Sequence, residues 1–158
     1  MRTWSGGLRL VVVMVGLAAA IPAADPFYLG RWNIASAAVA PWWREREKPD
    51  ASETKELVGK SIVIGAKGIE GPRQAACARP KYKVVDSPAE GLFQGMFDEM
   101  HRRDRSVDAR KVAESVGFRG SHWKSLETGC PNELDYHFLD EHTAAFGLNN
   151  YIYLLRRQ

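Results

Sequence analysis

Cysteine is scarce in this chain, with two in 158 residues. That excludes a small scaffold stapled by several disulfides. The absence of Cys-x-x-Cys and of any histidine beside a cysteine argues against a zinc ribbon or thiol redox motif. Charge of one sign is also missing. The formal net charge is +3, and setting aside Arg2 and Arg9, which lie in a segment that reads as removable, leaves 20 basic against 19 acidic residues, or +1. There is then no polybasic face for nucleic acid or a membrane surface. Gly-x-Ser-x-Gly, the glycine and lysine pattern of a P-loop, and Gly-x-Gly-x-x-Gly are all absent, which leaves no motif for a serine hydrolase, a nucleotide hydrolase or a dinucleotide enzyme. No repeat of solenoid period and no low-complexity tract occurs. With 45% apolar and 26% charged residues, what remains is ordinary composition for one globular domain.

The one long apolar run is N-terminal. Arg2 and Arg9 precede Leu10 to Ala20, which is apolar apart from one glycine and too short for the roughly 20 residues that span a bilayer. Small residues follow at Ala18 to Ala20, Ala23 and Ala24. The expectation is a signal peptide over 1–23, cleaved between 20 and 24, and a single exported β-rich domain over 24–158, periplasmic or secreted. No cysteine lies near the cleavage region to carry a lipid, so no stable membrane anchor is expected. In an oxidising compartment Cys77 and Cys130 are expected to pair, closing a loop whose chain-entropy effect is roughly 4 kcal/mol.

Periodicity supplies the fold class. Leu29 to Val39 alternates with period two, placing Trp32, Ile34 and Ala38 on one face. Asp50 with Glu53 is expected to cap a helical turn that Gly59 stops. Strands are predicted at Ser61–Gly65, Lys81–Val85, Trp123–Thr128, Leu134–Phe138, Thr143–Leu148 and Tyr151–Arg156, with Asn149-Asn150 as a two-residue turn suited to positive φ. Between Ser87 and Gly117 the period changes to about 3.6. Ser87, Pro88 and Glu90 read as the start of a helix carrying Leu92, Phe93, Met96, Phe97 and Met100 on one stripe. A second helix over Ala109 to Val116 is capped by Asp104 or Ser106. The expected architecture is a β-rich α+β fold, an antiparallel barrel or strongly curved sheet of about seven to eight strands with a mid-chain helical hairpin.

Few residues offer chemistry. His137 and His142 lie among Glu133, Asp135, Asp140 and Glu141, but their spacing does not bring ligands together, so no metal is expected, and Asp135 with His137 is read as the solvated face of a half-buried strand. The carboxylates between Asp98 and Glu114 alternate with arginines as on a solvated helix. Trp42-Trp43, followed by five charged residues, is the exception to aromatics serving as core. Adjacent side chains on an extended segment point apart, so Trp42 and Trp43 are the candidate binding residues.

Gly30-Arg31-Trp32 at the opening of the first strand, with Leu154-Leu155-Arg156-Arg157 closing the last, resembles the lipocalin and wider calycin pattern. The resemblance implies that Gly30 and Trp32 open strand one and that Arg156 or Arg157 packs across the tryptophan at the barrel floor. It departs from that pattern in lacking Thr-Asp-Tyr and in carrying its helices mid-chain. A similar Gly-x-Trp start with one disulfide occurs in small periplasmic barrels that inhibit proteases. The resulting expectation is an exported binding protein, neither an enzyme nor a cofactor carrier, that holds a small apolar ligand in a lipocalin-like interior. The alternative is an inhibitor that engages a protein target, of the protease- or lysozyme-inhibitor type, through Trp42, Trp43 and the charged loop after them.

Overall fold

The computed structural model describes residues 26–158, so the expected export signal lies outside the described residues. Eight strands form one fully antiparallel sheet: β1 Gly30–Val39, β2 Ser61–Ile64, β3 Ile69–Glu70, β4 Lys83–Ser87, β5 Trp123–Glu127, β6 Tyr136–Phe138, β7 Thr143–Leu148 and β8 Tyr151–Arg157. Their order is β3-β2-β1-β8-β7-β6-β5-β4, curled into a half-barrel with β3 and β4 at its two edges. The two-residue β3 falls within a stretch that sequence reads only as turns. Among the described residues three short α-helices, α1 Ser52–Leu57, α2 Met96–Arg103 and α3 Ala109–Ser115, and a single 3-10 turn at Ala89–Gly91 complete the fold.

The concave face is filled by side chains. Trp32, Ile34, Ile62, Leu126, Tyr136, Phe146, Tyr153 and Leu155 are without exposure there, and Phe146 stacks on Tyr153 with ring centroids 5.0 Å apart. Each such aromatic buries on the order of 150–250 Å², so this face is a packed core. Leu57 of α1 joins the same core, while Glu53 of α1 accepts hydrogen bonds from the Tyr153 hydroxyl at 2.9 Å and the Asn149 side chain at 2.8 Å. Glu53 thus secures α1 at the end of the sheet where β7 turns into β8.

A second core forms on the convex face of β5 to β8. Ala145, Ile152 and Trp123 meet Leu92, Phe93, Phe97, Ala113 and Phe118. β6 is therefore buried on both faces, and His137 is a core residue with 2% exposure, not part of a solvated face. The sequence reads β6 as half-buried because the residues that cover its second face, Phe93 and Phe118 against His137, come from segments distant in the chain.

Three further local expectations change. A bulge between Ile34 and Ser36 inserts Ala35 into β1. It reverses the alternation, so Ala37 packs inward and Ala38 is exposed. The first long helix does not begin after Ser87, which ends β4. It begins at Met96, preceded by three left-handed residues, Phe93, Gln94 and Gly95. The cap of α3 is Asp108, whose carboxylate accepts from the Arg110 and Lys111 amides, in place of Asp104 or Ser106.

Cys77 and Cys130 form the disulfide. Cys77 pairs by backbone with Ile69 of edge strand β3, and Cys130 follows β5, the neighbour of edge strand β4. The bond therefore ties together the two sides of the sheet that no ladder joins. Tyr82 assists, donating its hydroxyl to the Gly65 carbonyl at 2.9 Å and packing against Tyr28.

At the start of β1, on its β8 side, Trp32 is the direct cross-strand partner of Arg157, whose guanidinium lies over the indole at 4.6 Å. That guanidinium donates to the Leu29 carbonyl at 3.1 Å, the Glu141 carbonyl at 3.0 Å and the Phe27 carbonyl. Gly30 has φ of +133°, and a Cβ there would stand 3.4 Å from the Arg157 Nη1, which is why glycine suits the position. Arg156 points elsewhere, donating to the Thr143 hydroxyl at 2.6 Å. In a double-mutant cycle measured by urea unfolding, Trp32→Phe is expected to couple to Arg157→Ala by at least about 0.5 kcal/mol, and to Arg156→Ala by almost nothing. Equal coupling to both arginines would contradict this assignment.

Candidate functional site

The two sequence-selected tryptophans separate. Trp43 folds back on its own loop, its indole donating to the Glu47 carbonyl at 2.9 Å. Trp42 reaches across the molecule, donating to the Asn149 carbonyl in the β7–β8 turn at 3.0 Å and packing on Phe93 and Phe97. Both are half-buried. Gly147 lets Trp42 in, since a Cβ at 147 would come within 3.2 Å of both the Trp42 ring and the Phe93 ring.

Trp42 forms one wall of an open groove of about 380 Å³. The others are the turn before α2, the Asn132-Glu133 turn before β6, and the β7–β8 turn. Four non-glycine residues among those described have φ in the left-handed region: Phe93 at 51°, Gln94 at 55°, Glu133 at 53° and Asn149 at 50°. All four line this groove. Such conformations cost of order 1–3 kcal/mol each for residues other than glycine, asparagine or aspartate, and persist only where the surroundings dictate them. Hydrogen bonds supply part of that dictation. The Gln94 side chain donates to the Glu133 carbonyl at 2.9 Å, and the Asn132 side chain donates to the Gln74 carbonyl at 3.0 Å.

The rest comes from His137, directly beneath. Its Nε2 accepts the Phe93 amide at 2.9 Å, and its Nδ1 lies 2.7 Å from the Ser125 hydroxyl. Because Nε2 accepts, the neutral ring carries its proton on Nδ1 and donates it to Ser125. In that tautomer Nδ1 has no lone pair with which to take the Ser125 proton, and both side chains are buried, so this serine and histidine pair fixes a backbone turn and does not generate a nucleophile. Burial pulls the imidazole from 6.5 down to about 3.

His142 is exposed and its amide donates to Asp140, far from the role His137 plays. Among the described residues no group of three or more His, Cys, Asp or Glu side chains is arranged to hold a metal ion. None of the described helices is long and apolar enough to cross a membrane. Compared with known proteins, the chain matches no family model, no curated protein and no solved structure. Sequence reasoning found Trp42 and the Asn149-Asn150 turn but missed Phe93, Gln94, Asn132 and Glu133 as its companions. Gly95 was the available signal, since a glycine inside an apparent helix stripe often marks its true boundary.

His137 generates a pH prediction. Between about pH 6.5 and 3 the unfolded chain binds a proton that the folded chain refuses, so stability falls as pH drops through that window, by up to ~1.4 kcal/mol per pH unit, and is unaffected above it. His137→Gln removes this contribution. Urea unfolding from pH 7 to 4 is expected to show a shallower loss for His137→Gln than for the wild type. Parallel curves would show that His137 is not buried neutral.

Proposed function

We propose that this protein is an exported, non-catalytic binding protein whose recognition surface is the groove beside Trp42, and that its half-barrel interior is structural. The observation that carries the reading is the convergence of three strained left-handed residues, Phe93, Gln94 and Glu133, on one concave site beside the left-handed Asn149. Strain of this kind gathers where a shape is required that relaxed backbone would not hold. The packed concave face supports the second half of the reading, as does α1 with Leu57 inserted over it. The disulfide and the N-terminal run of the sequence support export.

A lipocalin-like small-ligand reading keeps one specific support. The Tyr136 hydroxyl is buried in that interior with no hydrogen-bond partner among the described residues, and burial pushes it above the ordinary tyrosine range. An orphaned hydroxyl could meet a polar atom of a bound molecule. It is equally a modest cost borne by a packed core.

Two measurements decide between these readings. Gln94→Gly and Gln94→Ala both give up the bond to the Glu133 carbonyl, but only glycine adopts the left-handed region freely, so Gln94→Gly is expected to be more stable than Gln94→Ala by ~1 kcal/mol in urea; equal stability would mean that position 94 stores no strain. Tyr136→Phe is expected to be neutral or stabilising, and the wild type is expected to take up no fluorescent fatty-acid analogue. Saturable one-to-one uptake that Tyr136→Phe weakens would replace the groove with the interior as the binding site.

A further inference from the structure

Resting on the groove reading above, we propose that the groove takes a neutral oligosaccharide. Its lining is chemically unlike the rest of the chain. The sequence holds seven asparagine and glutamine residues, and four of them, Gln94, Asn132, Asn149 and Asn150, line this one groove. A carboxamide both donates and accepts, as a sugar hydroxyl does, so a ring of carboxamides matches a polyhydroxylated ligand in whatever orientation each hydroxyl adopts. Several are already oriented. One N–H of Gln94 bonds the Glu133 carbonyl and one N–H of Asn149 bonds the Glu53 carboxylate, which fixes each side chain and leaves its second N–H and its carbonyl oxygen for a ligand.

The apolar part is aromatic. The indole of Trp42 is half-buried and anchored at its nitrogen by Asn149, and it packs against Phe93. A rigid ring of this kind suits the C–H face of a pyranose and costs little conformational entropy to order. Charge excludes other classes. Glu133 is the one ionisable side chain in the lining, and no lysine or arginine lines it, so phosphate, sulfate and carboxylate ligands have no counter-charge there. A peptide fits less well. The walls are three turns, with no strand edge among them to which an extended chain could add. The groove, of about 380 Å³, is at the lower end of small-ligand sites.

The test is a titration of the folded, disulfide-bonded protein, followed by ¹H–¹⁵N NMR, with cello-, malto- and N-acetylglucosamine oligomers of four to six units. At least one is expected to shift the Trp42 indole and the Gln94, Asn132, Asn149 and Asn150 side-chain amide signals together. Gln94→Gly and Asn150→Ala, each checked for a wild-type-like spectrum, are expected to weaken that sugar about tenfold. Shifts confined to other residues, or unchanged affinity in both variants, would overturn the proposal. A neutral, end-capped decapeptide serves as the second probe. If it moves the groove signals and no sugar does, the saccharide assignment fails and the groove reading stands; if neither probe moves them, both fail.

Discussion

An antiparallel sheet that curls without its last strand meeting its first has two exposed edges, and in this protein the covalent link between Cys77 and Cys130 holds them in place of a ladder. β3 is two residues long and β4 is five, so backbone pairing alone gives the edges little purchase. Short edge strands are also a recognised defence against pairing with other chains. On its two faces β4 carries Lys83 and Asp86, which pair with Glu127 and Lys124 of β5. Such exposed pairs contribute little to stability, but they keep the edge polar. With the seam fixed by the disulfide and Tyr82, the concave face becomes a defined volume, and Trp32, Tyr136, Phe146 and Tyr153 can fill it.

That filling moves function to the outside. A half-barrel of this strand number has an interior just large enough for side chains or for one small ligand, and here large aromatic residues occupy it. The mid-chain helices then take a role distinct from that of a barrel lid. They cover the convex face of β5 to β8, and the turn that leads into them forms a wall of the groove. The groove exists because the second core has an edge: Phe93 and Phe97 are inside it, Trp42 lies half across its boundary, and the carboxamides stand just beyond.

How much of this was legible in the sequence follows from which faces meet water. The strands read clearly where one face is solvated, as in β1 before its bulge, and the disulfide and the antiparallel β6, β7 and β8 followed from cysteine count and short connections. The bulge at Ala35 was not legible, because nothing in Ala-Ser-Ala-Ala distinguishes the inward residue from the outward one. The helix boundary failed for a different reason. Leu92, Phe93, Met96 and Phe97 are spaced as a helix stripe, and they do share one core, yet Phe93 is placed there by the hydrogen bond its amide donates to His137, on a strand 44 residues away in sequence. Local periodicity carries no record of such a partner.

His137 shows why the core and the groove cannot be treated separately. Its ring packs against Phe93 with centroids 4.9 Å apart and at the same time accepts the amide of that residue, so one side chain sets both the packing and the backbone conformation of the groove wall. The bond demands a neutral imidazole, and burial guarantees one at any pH near neutrality. Ser125 completes the arrangement by accepting a hydrogen bond from Nδ1–H, in the tautomer that the Phe93 amide imposes by donating to Nε2. The sequence of dependence thus runs from the solvent-free convex core, to the protonation state of one histidine, to the left-handed turn at Phe93 and Gln94, and so to the position of a carboxamide at the surface.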